Sequence, residues 1–503
     1  MRTKKALKNI VFNFIQQLIG IVVNFILPPL IIGRFGDSIN GLVQTIRQMM
    51  QYAQLTGAGI GASSTYAMYK PLHEQNYHTL SGVYNATKKM FTNAGNLFTI
   101  IVLILSVGYP FFVEGIDFKT VALSVLVIGI SGISEFYVYG KYQSIINANQ
   151  DNYIIAIAQT IGNVANVVVS VILIYLNCNI VIVLLGGSVI YLLRILILTR
   201  FVRSNYQYLD PNVRPMMDLI DQRNDAIVHQ ISGLIVLSSS TIILSLMCGL
   251  EEASVYSVYA LVFGGINTIC QIVATAIYSS FGEVIVKGKN DVLKAAFNVY
   301  ECLFFFAIFI VFTVAYVMIM PFISIYTNNL SVNVEYFLPL LGSLFVFVGI
   351  ANNLRVPART LVDAAGHFKR TRNRSVVEMI INLVGQIVFT YMFGIYGVLL
   401  GCLASYSYRT IDFILYTNKH IIKQSNLVSI RRIVVGFAAS ICMVLLLQVI
   451  VPLRMTGYVE WVIYGFIATF ATSVVFFIIY IIFDQKTMKE IYNILKNILK
   501  KSN

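Results

Sequence analysis

The chain has 503 residues, 57% of them hydrophobic and 12% charged, with a formal net charge of +14. Soluble domains carry about 25% charged residues, so a chain this apolar cannot hide its hydrophobic surface in water and takes the bilayer as its solvent. A soluble domain is excluded, and the positive charge needs no nucleic-acid partner, because membrane proteins keep an excess of Lys and Arg in their cytoplasmic loops.

The N-terminus is basic (Arg2, Lys4, Lys5, Lys8) and runs into an apolar stretch reaching about Ile32. That is too long for a signal-peptide core of about 7–15 residues, and no small-x-small cleavage site follows, so it reads as the first span. Fourteen stretches suit the roughly 20 apolar residues a span needs. They lie at about 9–33, 40–66, 93–113, 120–140, 153–176, 180–200, 228–248, 254–280, 297–320, 336–358, 375–394, 396–417, 433–453 and 459–483. After them Met488, Ile491, Tyr492, Leu495, Ile498 and Leu499 recur at helical spacing between lysines, the pattern of an amphipathic helix on the membrane surface.

With an even number of spans and both termini cytoplasmic, the cytoplasmic loops hold most of the cations, among them Lys88, Lys141, Arg203, Lys369, Arg370, Arg372, Arg374, Lys419 and Arg432. The outer loops then hold Arg34, Lys119 and Arg454. The expected fold is an all-α polytopic membrane protein of about 14 transmembrane helices: two six-helix lobes around a central cavity, plus two extra C-terminal helices. Residues 1–200 form the N-terminal lobe (spans 1–6) and 201–227 a cytoplasmic linker. Residues 228–417 form the C-terminal lobe (spans 7–12), 418–483 spans 13 and 14, and 484–503 the amphipathic tail. Weak internal similarity supports two halves. Gln17-Leu18-Ile19-Gly20 matches Gln230-Ile231-Ser232-Gly233, Asp37 matches Glu252, and Gln159 with Asn163 matches Glu378 with Asn382, all at offsets a little over 210.

The second span carries unusual polarity. Asn40, Gln44, Arg47, Gln51 and Gln54 recur at steps of 4, 3, 4 and 3, which places them on one helix face, opposite Leu42, Ile46, Met49, Met50 and Ala53. Facing lipid, an arginine near mid-bilayer costs at least about 2.5–3.5 kcal/mol, so this stripe faces protein or water. Asn13, Gln17, Gly20 and Asn24 repeat the spacing in span 1. Together they predict a hydrated cavity between the halves. The echoes in span 8 (Asn267, Gln271) and span 11 (Glu378, Asn382, Gln386) fit hydrogen bonding between packed helices instead.

Other charges within spans divide by depth. Arg34 and Asp37 lie at an outer mouth and could pair. Arg194 and Arg355 lie within two turns of a cytoplasmic end, within snorkelling reach. Arg409 and Asp412 suit a structural ion pair. Glu135, Glu301 and Glu378 lie near inner ends and any could carry a proton; Glu135 and Glu378 are taken as the candidates for ion coupling, Glu135 with Tyr139 and Tyr142 extending its face. The five histidines (His73, His78, His229, His367, His420) look unclustered and solvated, and the six cysteines form no CxxC pair, so no metal site is expected. An anionic ligand suits a cavity with arginines, whose planar donors fit phosphate. The resulting binding set is Arg47, Gln44, Gln51, Gln54, Asn13, Gln17, Asn24, Arg34, Arg194 and Arg355.

Two stretches carry a family resemblance: Gly57-Ala58-Gly59-Ile60-Gly61-Ala62 leading to Tyr69-Lys70-Pro71-Leu72, and Ile146-Asn147-Ala148-Asn149-Gln150-Asp151-Asn152-Tyr153. With the span count and layout, the chain resembles a Wzx-type O-antigen, capsule or teichuronic-type repeat-unit flippase of the multidrug/oligosaccharidyl-lipid/polysaccharide (MOP) exporter superfamily. The resemblance implies fourteen helices in two lobes and a cation-lined cavity, a role Arg47 matches by position. It also implies export of an undecaprenyl-diphosphate-linked oligosaccharide to the outer leaflet by alternating access, for surface polysaccharide assembly. The implied setting is the bacterial cytoplasmic (inner) membrane, with membrane lipid and polysaccharide polymerase machinery as partners. No cofactor is expected, and proton or sodium coupling stays open. No GxxxxGK[ST] loop and no catalytic constellation is present, which argues against ATP use and against an enzyme. Two alternatives remain: a peptidoglycan-precursor lipid flippase, and a cation-coupled drug antiporter of the same superfamily, which would place acidic rather than basic charge deep in the spans.

Overall fold

A computed structural model describes residues 2–220, 224–288, 290–328 and 334–502. Within them every regular element is helical, and thirteen helices are long and apolar enough to cross a membrane. Contacts group the chain into two compact units, Met1–Leu261 with Leu330–Val334, and Val262–Asn329 with Glu335–Asn503.

In the first unit, α1 (Arg2–Asn24) and α2 (Leu27–Phe35) make the first span, with Pro28 in the opening turn of α2, where a missing N–H costs nothing. Gly36, at φ +87°, turns the chain into α3 (Asp37–Ala53). Sequence periodicity predicts one continuous helix here, over 40–66. The structure breaks it: α3 tightens into a single 3₁₀ turn at Gln54–Gly57, Gly59 adopts φ +79°, and α4 (Ile60–His73) begins anew. The glycines are the cause. A Cβ on Gly57 would overlap the ring of Phe136, and left-handed φ at position 59 suits glycine alone without strain. This broken, polar segment is the fourteenth expected span and stands outside the thirteen long apolar helices.

The unit continues with α5 (Tyr77–Gly108) and α6 (Phe118–Ser134). Asn76 and Asp117 cap them by accepting from the amides of Thr79 and Thr120. A π-helical turn at Glu135–Tyr139 joins α6 to α7 (Gly140–Ala148), and α8 (Asn152–Tyr175), α9 (Ile180–Tyr191) and α10 (Leu193–Asn205) follow. Residues 206–220, within the stretch expected as a linker, are irregular but folded back. Asn85 on α5 donates to the carbonyls of Asp210 and Val213 at 3.0 and 2.8 Å. The unit closes with α11 (Asn224–Met247) and the first turns of α12 (Leu250–Val286). Leu42, Val43, Ile46 and Met50 of α3 pack into one core with Phe98, Val102, Val121 and Val125.

The second unit holds the rest of α12, then α13 (Asn290–Thr327), α14 (Pro339–Leu354), α15 (Val356–Ala364), α16 (Phe368–Phe393) and α17 (Ile395–Thr417). After a π-helical turn at Asn418–Ile422 come α18 (Leu427–Ile450), α19 (Tyr458–Phe483) and α20 (Gln485–Ser502), the helical tail. Phe263 stacks between Phe312 and Phe345 in its core. α16 and α17 approach backbone to backbone, because a Cβ on Gly397 or Gly401 would overlap the facing main chain of Phe389 or Gln386.

The two halves repeat in their backbone turns. Gly36 and Gly249 both have positive φ and stand 213 residues apart, as do Gln75 and Gly288; Gln150 and Gly366 are 216 apart, and Asn177 and Gly394 217. Each pair sits at the same helix junction. The repeat also reassigns one match. At offset 216 the partner of Asn382 is Asn166, not Asn163. Asn166 donates to the Gly187 carbonyl at 2.6 Å and Asn382 to Ser405 Oγ at 2.9 Å, each tying one helix of a hairpin to the next.

Gly41 is the tightest point between α3 and α12, since a Cβ there would overlap the Leu250 carbonyl. Gly41→Ala should therefore destabilise the protein by about 1–3 kcal/mol, read as a lowered melting temperature in detergent. Gly20→Ala, with open space around it, should be neutral or slightly stabilising.

Candidate functional site

The polar stripe of α3 divides in two. Asn40 is fully buried and donates to Ser254 Oγ at 2.7 Å and Ser257 Oγ at 3.3 Å. Gln51 accepts from Ser238 Oγ of α11 at 2.8 Å, and beside it Tyr52 donates to the Ile235 carbonyl at 3.1 Å. These members of the stripe bind neighbouring helices. Gln44, Arg47 and Gln54 are half-buried and have no hydrogen-bond or ion-pair partner among the described residues. Gln48, one step off the stripe and absent from the sequence-based set, has a buried Oε1 with no hydrogen-bond partner among the described residues.

The stripe of α1 is less enclosed. Asn13 and Gln17 are half-buried and Asn24 is exposed, and none makes a side-chain hydrogen bond among the described residues. α1 packs mainly along α8, and α3 along α11, α2 and α6, so the two stripes lie on helices with different principal neighbours. Arg34 is exposed and is not ion-paired to the buried Asp37.

The four buried arginines among the described residues, Arg194, Arg355, Arg409 and Arg432, are paired. Arg194 is buried on α10, with Nη2 at 3.7 Å from Glu135 Oε2 and its guanidinium over the Tyr139 ring at 4.6 Å. Gln159 donates to the Tyr139 hydroxyl at 3.0 Å, which extends the set onto α8. Snorkelling is not the arrangement adopted here. The side chain turns inward to a carboxylate supplied by the π-helical turn, an insertion that occurs mostly as a single turn and often at functional sites.

In the second unit Glu378 takes two arginines. Arg355 binds it directly, donates to Asn352 at 2.6 Å and lies over Tyr406 at 4.6 Å. Arg409 Nε lies 3.2 Å from Glu378, and Arg409 Nη1 lies 2.6 Å from Asp412, which also pairs with Arg374. The Arg409–Asp412 pair read from the sequence is therefore one link of a larger set. Arg194 and Arg409 stand 215 residues apart, so the repeat places a buried arginine at the same level of α10 and α17. The halves differ in which helix supplies the acid: the turn after α6 in one, α16 in the other. Glu135 and Glu378, the ion-coupling candidates, are both arginine partners, Glu135 with its side chain 37% exposed and Glu378 with 10%.

A third set escapes sequence reasoning, which places Arg432 in a loop. Arg432 is buried between Glu301 of α13 and Asp484, 2.6 Å from each, and donates to Thr487 of α20 at 2.9 Å. Spacing gives no hint of it, because Glu301 is 131 residues away and Asp484 is 52. Two of the amides expected to serve packing in spans 8 and 11 bond across helices: Asn353 donates to Asn267 at 2.6 Å, and Asn382 donates to Ser405 of α17 at 2.9 Å, while Gln386 donates to Asn382 within α16. Gln271, by contrast, is exposed. The Ile146–Tyr153 stretch is a junction, where Asp151 pairs with Lys5 at 2.7 Å and accepts from Tyr206 at 3.0 Å.

Removing one partner from a buried ion pair leaves a stranded charge, at about 3–5 kcal/mol. Glu378→Gln and Glu301→Gln should each lower the melting temperature markedly. Arg47→Met should leave it unchanged or raise it, since no partner is stranded. A large loss in Arg47→Met would mark Arg47 as structural.

No known protein family's sequence pattern matches the chain, and no curated protein matches it in sequence. Solved structures do match in fold. An inward-facing MATE family multidrug resistance transporter of the MOP superfamily superposes with a TM-score of 0.65 at 15% identity, over 83% of this chain and 98% of that one. The lipid II flippase MurJ, in an inward closed conformation, gives 0.61 at 15% identity over 94% and 98%. A MATE transporter from Vibrio cholerae gives 0.56 at 13% over 84% and 98%. The chain thus has the many-helix membrane fold shared by MATE transporters and MurJ.

Proposed function

We propose that this protein is a flippase, not an enzyme, and that it moves an undecaprenyl-diphosphate-linked oligosaccharide from the inner to the outer leaflet of a bacterial cytoplasmic membrane. One observation carries this reading. Arg194, Arg355, Arg409 and Arg432 each have a carboxylate partner, whereas Arg47, flanked by the unpartnered amides Gln44 and Gln54, has none among the described residues. A permanent cation placed in a span without its own counter-ion suits a ligand that brings the anion. Amides on the same helix face to either side of it, each both donor and acceptor, suit sugar hydroxyls next to a diphosphate. Asn13, Gln17 and Asn24 of α1 extend the polar surface available to such a headgroup. Arg194 and Arg355 contribute less directly, since their charges are already matched.

A negative-inside potential favours outward movement of an anion, by about 2.3 kcal/mol per charge per 100 mV. Proton or sodium exchange, through Glu135 or Glu378, would act by releasing an arginine from its carboxylate. Polysaccharide polymerase machinery is the expected consumer of the exported unit. MurJ, a lipid II flippase, shares the fold, and a peptidoglycan precursor differs from this substrate in the group carried on the diphosphate. The likeness to a multidrug resistance transporter makes drug export the second reading; for a cationic drug, the positive charge of Arg47 within the span opposes it.

The test is transport of a fluorescent undecaprenyl-diphosphate oligosaccharide in proteoliposomes. Arg47→Ala should slow it about tenfold or more, the loss of a charge-assisted hydrogen bond, and Arg47→Lys should restore part. Equal rates in all three would overturn the role of Arg47. Export of an organic cation, with no flipping of the lipid, would favour the antiporter.

A further inference from the structure

The sequence presents His367 and His420 as isolated, solvated residues. The structure brings them to one buried tyrosine. The Tyr416 hydroxyl lies 3.1 Å from His367 Nδ1, with ring centroids 5.9 Å apart, and the His420 ring is 4.8 Å from Tyr416. The Arg374 guanidinium lies over the same ring at 4.9 Å. Tyr416 is buried, His367 half-buried and His420 exposed.

The charges around this cluster do not balance. Arg359 and Asp363 on α15 pair at 3.5 Å, and Asp412 on α17 is taken by both Arg374 and Arg409. Those acids are spent. Lys369 and Arg370 on α16 and Lys419 beside His420 are exposed, with no ion-pair partner among the described residues. An excess of Lys and Arg in loops is what a membrane protein's topology requires, but topology does not require convergence, nor does it recruit histidines.

We propose that His367, Arg370 and His420 form a site for a phosphate-bearing anion at this end of the α16–α17 hairpin. Arg370 supplies a permanent charge and planar donors, and each imidazole donates when protonated. Burial, with Arg370 and His420 nearby, pushes the His367 imidazole below its ordinary value. A bound anion reverses that, so binding takes up protons and tightens as pH falls. The site is independent of what α3 carries. Its occupant is either the diphosphate of a lipid-linked or soluble molecule or the headgroup of an anionic phospholipid, which share this chemistry.

The experiment titrates inorganic pyrophosphate into the full chain in phosphatidylcholine nanodiscs. Binding should be about tenfold tighter near pH 6 than near pH 8, and should persist in Arg47→Ala, which separates it from the α3 reading. Arg370→Ala combined with His420→Ala, both at exposed positions, should weaken binding about tenfold at the lower pH and flatten the profile. If phosphatidylglycerol in the nanodisc displaces pyrophosphate, the occupant is a lipid headgroup; if it does not, the phosphate comes from the aqueous side. No binding to the wild type, or the same affinity and pH profile in the double variant, would overturn the proposal.

Discussion

A guanidinium in a hydrocarbon setting must meet an anion or remain costly, and much of this structure follows from that requirement. Arg432 joins α13, α18 and α20 because its two acids come from Glu301 and from Asp484 at the start of the tail. The Arg409 set ties α14, α16 and α17 near one end of the second unit. Each set is closed, with acids on hand for its buried cations. Arg47 differs from these arginines: amides flank it on the same helix face, and it has no ion-pair partner among the described residues.

The repeat shows how one plan was reused with different chemistry. Positive-φ residues fall at matching junctions, and glycine fills all four of the matched positions in the second half, while Gln75, Gln150 and Asn177 take positive φ in the first. Non-glycine residues in this region carry a steric penalty that surrounding structure must offset. At Gln150 the offset is visible. The turn is pinned by Lys5, Asn9 and Tyr206, all hydrogen-bonded or ion-paired to the turn or to the residues on either side of it. Retaining the turn, whatever residue fills it, keeps α8 and α16 starting at the same level of their units.

Much of the fold was legible because hydropathy and helix caps are local. Long apolar runs place most of the helices, although α5, α13 and α16 begin well before the runs that mark them, and the tail's periodicity announces α20. The break in the second span was less visible, since it depends on a contact between Gly57 and Phe136, 79 residues away. At the candidate site the spacing of the α3 stripe identified which residues share a face. It could not tell Asn40 and Gln51, which bind α12 and α11, from Gln44, Arg47 and Gln54, which do not. Partnership across helices is set by packing, and periodicity along one helix carries no record of it. The same limit hid the meeting of His367 with His420, which are far apart in sequence and joined by a tyrosine between them.

The break at residues 54–59 has a consequence beyond bending the chain. Where a helix stops, its last carbonyls lose their intrahelical partners, and where a new one starts its first amides do too. The α3–α4 junction therefore presents main-chain acceptors and donors beginning about two turns from Arg47. In a bilayer, irregular backbone of this kind is tolerated where it lines a cavity or is buried in protein. Recognition at this level would thus be partly written in the peptide backbone, a contribution that side-chain replacement leaves in place and that depends on Gly57 and Gly59 keeping the helix interrupted.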